Sequence, residues 1–343
     1  MPLRPPIHHV ALVGAGMAGA SAAHALTQAG YTVTVFDKSR GVGGRMSTRR
    51  QPDWQADHGA QYFTVKDAAF GQSVAQWQAL GWVAPWHARV AKRAPEAPHH
   101  VSPSDSVVRW VATPTMPSLA KQLLAAATVQ HGHTVSALTR EANGRWQVHT
   151  TEHGAHPTGF EAVLLALPLP QLAPLMPQLP NAWAQAWRNI RFEPCWAVMA
   201  RYAQPLALPF DGLFANHPDL QWAARNLSKP GRSGQETWTL HATPAFSQVH
   251  LESAPHDVAE HLCRIMGQLG AAQPAASVAH RWRYALAVTD NAVWPTDLAY
   301  WDAAQGLGVC GDWLAGGRVE GAWRSGAHLA HQLTQSTTPP GEN

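Results

Sequence analysis

Three glycines near the start of the chain have the spacing of a dinucleotide-binding loop. Gly14, Gly16 and Gly19 follow an apolar run at 10–13, and Asp37 ends the next apolar run. In such a loop the first glycine permits a tight strand-to-helix turn, the second lets the backbone approach a pyrophosphate, and the third allows helix and strand to pack closely. An acid at this distance is placed to bind ribose hydroxyls. The sequence therefore predicts a dinucleotide site at a helix N-terminus, where free N–H groups attract phosphates.

A second loop, rich in glycine and arginine, follows this acid immediately. Residues 41–45 read Gly-Val-Gly-Gly-Arg, and residues 57–63 read Asp-His-Gly-Ala-Gln-Tyr-Phe. Glycine lets a backbone press against a phosphate or a flat ring, because it has no Cβ. Arginine can bind phosphate through two parallel hydrogen bonds. A simple NAD-binding domain does not need this second loop, so the pattern indicates a larger dinucleotide cofactor.

The end of the chain carries a matching signal. Residues 306–326 read as a strand, a Gly311-Asp312 turn and a helix start flanked by glycines. Alone, a Gly-Asp pair is an ordinary turn. Together with the N-terminal loops it predicts that both ends of the chain close the same cofactor site.

The order of these motifs resembles that of the amine-oxidase-like flavoproteins, which hold FAD in this way. Within them the chain is most similar to the renalase family, including its bacterial members, through DKSRGVGGRMSTRR at 37–50 and DHGAQYFT at 57–64. The resemblance implies non-covalent FAD, because Cys310 occupies a family position that faces the phosphates rather than the isoalloxazine methyl group.

The resemblance extends the expected FAD contacts beyond the three loop glycines and the ribose acid. It implies that the strand near Val135 passes the adenine and that the last helix starts at the pyrimidine edge of the flavin. The cofactor-binding residues expected from motifs and resemblance are Gly14, Gly16, Met17, Ala18, Gly19, Asp37, Lys38, Gly44, Arg45, Gln61, Tyr62, Val135, Gly311, Asp312, Glu320, Gly321 and Ala322.

Periodicity along the chain indicates the elements that must position these residues. Residues 1–65 read β-α-β followed by the second loop, and 66–113 read as irregular. A helix is predicted at 116–127, and strands at 134–138, 146–150 and 162–167. Alternating runs at 195–202, 212–215, 222–226, 237–243 and 281–287, with a helix at 255–269, predict an antiparallel sheet.

The predicted fold class is therefore α/β: a Rossmann-like FAD-binding domain of the amine-oxidase type with an inserted α+β substrate domain that contains an antiparallel sheet. We expect the FAD-binding domain to comprise 1–65, 114–172 and 289–335. The substrate domain is expected at 66–113 and 173–288, and a flexible tail at 336–343.

Composition excludes several other classes of function. The net charge of +3 over 343 residues, without a long basic run, gives no sign of a nucleic-acid surface. The three cysteines lack metal-ligand spacing, the histidines at 8–9, 99–100 and 256–261 read as surface residues, and we predict no metal site. The start lacks the apolar core of a signal peptide, and no apolar run is long enough to span a membrane. A cytoplasmic protein is the resulting expectation.

Residues of the predicted antiparallel sheet are candidates for a substrate site. The renalase resemblance implies that Asn226 and His241, from two of its strands, lie beside the flavin and are catalytic. An exposed edge strand with a basic turn and a satisfied core histidine are the structural alternatives. The candidate substrate-binding residues are Tyr62, Trp222, Arg225, Trp282 and Tyr284.

The function that the resemblance implies is the oxidation of dihydronicotinamide isomers, the 2- and 6-dihydro forms of NAD(P), to NAD(P)+. Dioxygen is the expected acceptor and hydrogen peroxide the product. Such a donor gives up hydride readily because its product is aromatic. The site therefore needs no strong general base, in agreement with the lack of an obvious catalytic dyad or triad.

Three alternatives stay open at this point. An amine oxidase is the strongest of them, although the candidate lysine, Lys229, lies in a Pro-Gly turn, and Arg318 stands where a cage aromatic is expected. A cation there would repel a substrate ammonium. An NAD(P)H-dependent reductase would need a second dinucleotide-binding loop, which the sequence lacks. A non-catalytic FAD-binding or redox-sensing protein cannot be separated from an enzyme by sequence.

Overall fold

A computed structural model of the chain describes residues 7–93, 101–103, 106–290 and 293–337. Contacts between Cα atoms divide the chain into two units. The first unit comprises Met1–Gly44, Leu119–Arg191 and Ala287–Asn343, and the second comprises Arg45–Ser118 and Phe192–Leu286. Most of the tail expected at 336–343 lies outside the described residues, which end at 337.

The strands are β1 His9–Val13, β2 Thr32–Asp37, β3 Thr48–Arg50, β4 Gln55–Asp57, β5 Val83–Pro85, β6 Val90–Arg93, β7 Val101–Pro103, β8 Trp110–Ala112, β9 Thr128–His131, β10 Val135–Arg140, β11 Trp146–Thr150, β12 Gly154–Ala155, β13 Ala162–Leu165, β14 Ile190–Tyr202, β15 Gly212–Phe214, β16 Leu220–Arg225, β17 Glu236–Ala242, β18 Ala276–Thr289, β19 Ala299–Asp302 and β20 Leu307–Cys310. The α-helices are α1 Met17–Gln28, α2 Ala68–Ala79, α3 Ser118–Leu123, α4 Asn181–Trp187, α5 Pro244–Val249, α6 Pro255–Gln268 and α7 Arg318–Thr337. Within the described ranges, none of these helices has both the length and the apolar character needed to cross a bilayer.

The first unit is built on a six-stranded sheet in the order β19-β20-β13-β1-β2-β9. All its neighbouring strands run parallel except β19, which is antiparallel to β20. Every residue of β13 is fully buried, as expected for a parallel strand covered on both faces. Strands β10, β11 and β12 form a separate antiparallel sheet, so Val135 belongs to that sheet.

Helices α1 and α7 pack against each other in the first unit through small residues. A Cβ added to Gly326 would lie 2.0 Å from the carbonyl oxygen of Ala18. One turn further along, the Ser21 hydroxyl donates a hydrogen bond of 2.8 Å to the carbonyl of Trp323. The helix that follows the first glycine loop is therefore held by the helix at the end of the chain.

The second unit is built on a seven-stranded sheet in the order β18-β14-β17-β16-β15-β6-β7. One face carries Val198, Ala223 and Leu240, which join a buried apolar cluster with residues of α5 and α6. On the other face, Phe214 is the cross-strand partner of Trp222, and Trp222 is also paired with His241. Because directly opposed residues project to the same side, these three side chains form a row, which we call the site face.

Together the two units confirm the predicted fold class, and most strands lie where periodicity placed them. Two local predictions were wrong. The helix expected at 116–127 is only α3, residues 124–127 form a turn, and β9 follows at the edge of the parallel sheet. The stretch read as irregular at 66–113 contains α2, whose N-cap Asp67 accepts a hydrogen bond from Phe70 N–H. Burial of α2 on one face, through Phe70 and Trp77, follows helical spacing.

We predict that Gly326→Ala destabilises the protein by about 1–3 kcal/mol, because the added methyl group has no room between the two helices. The matched control is Gly267→Ala in α6, where a Cβ meets nothing within 4 Å. That change should stabilise the protein by about 0.5–1 kcal/mol through helix propensity. Urea unfolding of both variants measures the difference, and equal effects at the two sites would contradict the close packing.

Candidate active site

The first glycine loop is shaped by the packing of the protein itself at two of its three glycines. Gly14 has a φ of +107°, and a Cβ there would lie 2.5 Å from the carbonyl oxygen of Ala166. At Gly19 a Cβ would lie 1.9 Å from the carbonyl oxygen of Gly14. Any side chain at either position would push the loop away from its strand.

The middle glycine of the loop has a different role. A Cβ at Gly16 would meet nothing within 4 Å, so the protein's own packing does not require glycine there. The second glycine loop lies against this place, because Gly43 N–H donates a hydrogen bond of 2.8 Å to the Ala15 carbonyl. Gly44, at a φ of +52°, approaches the Gly16 Cα. The open space beside Gly16 is what a bound pyrophosphate would need, and the loop therefore fits a dinucleotide.

Asp37 closes the same loop from the end of β2. Its Oδ2 accepts a hydrogen bond of 2.7 Å from Ala15 N–H, and its Oδ1 accepts one of 2.7 Å from Ser39 N–H. Each carboxylate oxygen can accept a second bond, so the contact with ribose hydroxyls remains a proposal. The neighbouring Lys38 is exposed. Asp37 thus has a structural task that sequence reasoning did not assign to it.

The Gly311-Asp312 turn is held in place by a buried tryptophan. The Trp313 indole N–H donates a hydrogen bond of 2.9 Å to the Leu167 carbonyl, just after β13. A Cβ at Gly311 would lie 2.3 Å from the Trp313 indole nitrogen. Gly311 N–H also donates to the Ser325 hydroxyl at 2.9 Å. Trp313 is therefore the fully buried support of the turn.

Three consecutive residues in the left-handed region lead into α7. Gly316, Gly317 and Arg318 have φ values of +79°, +74° and +67°. For a residue with a side chain this conformation costs about 1–2 kcal/mol, and such strain is concentrated at functional sites. Gly321 lies close to the preceding turn, since a Cβ there would be 2.5 Å from the Ala315 carbonyl oxygen.

The remaining two expected residues of α7 differ in exposure. Glu320 is half-buried in the first turn of the helix, and Ala322 is buried. Their direct contact with FAD stays a prediction.

In the second unit, the arginine of the second loop is bonded to the segment that follows. Ala60 N–H donates to the Arg45 carbonyl at 2.8 Å, and a Cβ at Gly59 would lie 1.9 Å from that oxygen. The Arg45 guanidinium donates to the Ala285 carbonyl at 3.3 Å. The two sequence motifs therefore form one backbone structure, and Gly59 is needed for this close approach.

Asp57, Lys229 and Arg232 form a buried group in the second unit, which we call the charge cluster. The Asp57 Oδ2 accepts a hydrogen bond of 2.7 Å from Arg232 and is 3.3 Å from Lys229 Nζ, and the three side chains are at most 1% exposed. Thr48 donates to the other carboxylate oxygen at 2.5 Å. Burial opposes ionisation of Asp57, but the charges of Lys229 and Arg232 prevail and lower its pKa to about 2. One carboxylate thus faces two cations.

The sequence placed Lys229 in a Pro-Gly turn, and in the structure its side chain is fully buried. A Cβ at the following Gly231 would lie 2.9 Å from Pro114 Cα, so this turn is pressed against another loop of the unit. Lys229 Nζ donates a hydrogen bond of 2.9 Å to Gln61 Oε1, and the Gln61 amide donates to the Asp57 carbonyl at 2.7 Å. Burial lowers the pKa of Lys229 to about 8. Gln61, which was expected to contact FAD, is therefore hydrogen-bonded to two members of the charge cluster.

The structure brings together three of the predicted substrate-site residues around the segment at 57–58. Asp57 N–H donates to Asn226 Oδ1 at 3.3 Å. The carbonyl oxygen of His58 accepts a hydrogen bond of 3.0 Å from the Trp282 indole and lies 3.3 Å from His241 Nε2. These side chains position the backbone of the DHGAQYF motif. Direct catalytic contacts of Asn226 and His241 remain a proposal.

The histidines of this region are held neutral. Burial lowers the pKa of His241 to about 4. Burial, with the nearby His280, lowers the pKa of His58 to about 3. The His58 ring stacks on Trp282 with 5.0 Å between the ring centroids. Near neutral pH these rings therefore offer hydrogen bonds without a charge.

One predicted substrate residue, Arg225, does not join the site face. Arg225 is paired with Trp238 in the β16–β17 register, which places it on the opposite face of the sheet from Trp222. Its guanidinium forms a hydrogen-bonded ion pair with Glu236 at 2.9 Å. The ring of Tyr284, another predicted substrate residue, lies edge-on to Phe192, with the ring centroids 6.1 Å apart.

Comparison with known proteins gives two family matches. A family described as flavin-containing amine oxidoreductase matches residues 105–334, and an NAD(P)-binding Rossmann-like domain matches residues 12–75. The L-amino acid oxidase Cdc18 of Crotalus durissus cumanensis is 52% identical over 58 residues, which are 17% of this chain and 12% of that protein. The L-amino-acid oxidase of Crotalus adamanteus is 51% identical over 57 residues, 11% of its length. The chain thus matches only a small part of these relatives.

Solved structures resemble the chain over nearly its whole length. A putative protoporphyrinogen oxidase from Exiguobacterium sp. 255-15 has a TM-score of 0.72 at 13% identity and covers 96% of this chain, with 99% of its own chain matched. The cyclohexylamine oxidase of Brevibacterium oxydans IH-35A has a TM-score of 0.71 at 13% identity, with the same two coverages. At such identities the likeness shows a shared fold alone.

The charge cluster predicts an order of stability among its variants. Asp57→Asn leaves two buried cations without a carboxylate and should cost about 3–5 kcal/mol. Lys229→Met leaves the Asp57–Arg232 pair intact and should cost about 1–3 kcal/mol, the scale for an unsatisfied Gln61 oxygen. Urea unfolding at a fixed FAD concentration gives both values. The exposed Asp53→Asn is the control, with an expected change below about 0.5 kcal/mol. A larger cost for Lys229→Met than for Asp57→Asn would contradict this arrangement.

The pH dependence of stability should report the buried His241. Between pH 6.5 and pH 4 the unfolded chain binds a proton at this residue and the folded protein does not, so stability falls as the pH decreases through this range. In His241→Gln the slope over this range should be smaller by up to about 1.4 kcal/mol per pH unit. Unfolding free energies measured at several pH values test this. An unchanged slope in His241→Gln would refute the interpretation.

Proposed function

The chain belongs to the flavin-containing amine oxidoreductase family, and we propose that within this family it is a renalase-like oxidase of dihydronicotinamides rather than of amines. It is an FAD-dependent oxidoreductase. In the proposed reaction a 2- or 6-dihydro isomer of NAD(P), dioxygen and a proton give NAD(P)+ and hydrogen peroxide. When bound, FAD supplies the two-electron acceptor and the reactivity toward dioxygen.

Residues of the first unit fit the cofactor in their own geometry. The open space at Gly16 would accommodate a pyrophosphate, Asp37 is the residue that we assign to the ribose, and the N-terminus of α7 would offer backbone N–H groups. We assign FAD binding to these loops. The site face and the charge cluster of the second unit are assigned to the substrate.

Our choice of substrate rests on the charge cluster. Asp57 is opposed by both Lys229 and Arg232, so the three buried groups carry a net positive charge when Lys229 is protonated. Such a cluster disfavours an approaching ammonium ion and favours a substrate with phosphate groups. A dinucleotide has these phosphates, whereas a simple amine has none.

The neutral histidines support the same reaction. Oxidation of a dihydronicotinamide removes a hydride and leaves an aromatic ring, so no side chain must abstract a proton. His241 remains neutral above about pH 4 and can act through hydrogen bonds without acting as a charged base. Asn226 and His241 hold the DHGAQYF backbone, and we propose that this segment orients the ring for hydride transfer.

An amine oxidase remains the second candidate, because one observation favours it. Lys229 is fully buried with a pKa lowered to about 8, and many amine oxidases place a lysine near the reacting atom of the flavin. The L-amino acid oxidases that match 57 or 58 residues of the chain act on amino acids, as their names state. Against this candidate, Lys229 is already bonded to Asp57 and Gln61.

Anaerobic mixing of the FAD-loaded protein with candidate donors tests the proposal. The 2- and 6-dihydro forms of NAD(P) should bleach the flavin absorbance within seconds, and ordinary 4-dihydro NAD(P)H, monoamines and L-amino acids should do so far more slowly. On admission of air, peroxide should form in equal amount to the isomer consumed. His241→Ala and Asn226→Ala should keep FAD but bleach about 10- to 100-fold more slowly, since the DHGAQYF segment loses its support.

Each contrary result selects another function. Rapid bleaching by an amine or amino acid, with the dihydronicotinamide isomers inert, would establish the amine oxidase. Rapid bleaching by plain NADPH would indicate a reductase. Bound flavin that none of these donors reduces would favour a non-catalytic or redox-sensing role. Flavin that stays with the protein after acid precipitation would show that the cofactor is covalent, against the expectation from the sequence.

A further inference from the structure

Four aromatic side chains of the second unit form a cluster beside the charge cluster. They are Tyr62, Trp86, Phe214 and Trp222, which we call the aromatic cluster. The Trp222 ring lies 4.7 Å from Phe214, 5.5 Å from Tyr62 and 6.4 Å from Trp86, measured between centroids. Their planes are tilted or perpendicular to one another, as is favoured for aromatic pairs. The Trp222 ring therefore lies near all three of the other rings.

The local fold brings the rings together for identifiable reasons. Phe214 and Trp222 are opposed on neighbouring strands, and Gly212, one alternation earlier, leaves room for Trp222. A Cβ at Gly212 would lie 2.9 Å from the Trp222 ring and 3.3 Å from the Trp86 ring. Tyr62 follows Gln61, which the buried Lys229 holds in place. The cluster is thus anchored by both the sheet and the charge cluster.

Hydrogen bonding distinguishes Trp222 from the neighbouring tryptophans. The indole N–H of Trp86 donates to the Ser228 hydroxyl at 3.0 Å, and that of Trp238 donates to Glu236 at 2.9 Å. Trp222 is only 6% exposed, yet its indole nitrogen has no acceptor among the residues that the structure describes. Native proteins rarely leave a buried donor without an acceptor, and where they do, a ligand or water supplies one.

We propose that the aromatic cluster binds the nicotinamide ring of the substrate and that the Trp222 indole N–H donates a hydrogen bond to its carboxamide oxygen. The inference rests on the proposed function, which it deepens by naming the groups that recognise the ring. An indole N–H can only donate, so it selects a ligand with an acceptor next to a flat ring. The carboxamide oxygen of nicotinamide is attached one carbon away from the ring and meets this requirement. Its cross-strand neighbour His241 lies on the same face.

The test is equilibrium binding of the reaction product to the oxidised, FAD-loaded protein, measured by calorimetry. The two probes are NAD+ and an analogue in which an unsubstituted pyridinium replaces nicotinamide and which therefore lacks the carboxamide. The wild type should bind NAD+ about tenfold more tightly than the analogue, as expected for one hydrogen bond. Trp222→Phe keeps an aromatic ring but removes the N–H, and should reduce this preference to about one.

Trp86→Phe is the matched control, because its indole N–H already has an acceptor. It should retain the tenfold preference for NAD+. The preference is a ratio measured in one protein, so general loosening of the site in a variant cancels. An equal loss of preference in both variants would assign the effect to ring packing and overturn the inference.

If Trp222→Phe fails to fold, the wild-type measurement alone still tests the proposal. Equal affinity of the wild type for the two probes would overturn the proposal without any variant. Reduction of the flavin by the dihydronicotinamide isomers, combined with a preference that persists in Trp222→Phe, would refute the assignment of Trp222 and leave the proposed function standing. Failure of every isomer to reduce the flavin would refute the proposed function itself.

Discussion

The ion pair between Asp57 and Arg232 is the interaction on which the second unit's site depends. The two residues are 175 positions apart in the chain, and their side chains are 1% exposed. A carboxylate buried so deeply is tolerated only with compensating charge, and here Lys229 supplies a second cation. The pairing fixes the turn after β16 against the start of the DHGAQYF segment.

The charge cluster also determines what the surrounding polar groups can do. Lys229 and Gln61 are bonded to each other, and Gln61 is bonded in turn to the Asp57 carbonyl. Asn226 and His241 use their polar atoms on the same short segment. A segment supported from so many sides has little freedom, and the proposed orientation of a hydride donor requires such rigidity. The charge cluster and the neutral side chains around it thus hold the same segment in place.

The sequence predicted the parts of the molecule that depend on local spacing. The glycine loop, β1, β2, β13 and the strands of the larger sheet follow from periodicity and turn chemistry within a few residues. It did not predict that Lys229 would be buried, because this burial depends on a contact between Gly231 and Pro114 far away in the chain. Nor did it separate Arg225 from the site face, since one residue of strand register decides the side. Helix α2 was missed because tryptophan, proline and histidine around it obscured its apolar face.

Glycine shows why a motif alone cannot state what a residue does. Gly14 and Gly19 are required by the backbone that surrounds them, so they would be needed for the fold even without a ligand. Gly16 has open space, where a bound group would take the place of a side chain. The same reasoning applies to Trp222, whose ring is explained by packing but whose N–H is not. In both cases a ligand would supply the contact that the protein's own packing leaves open.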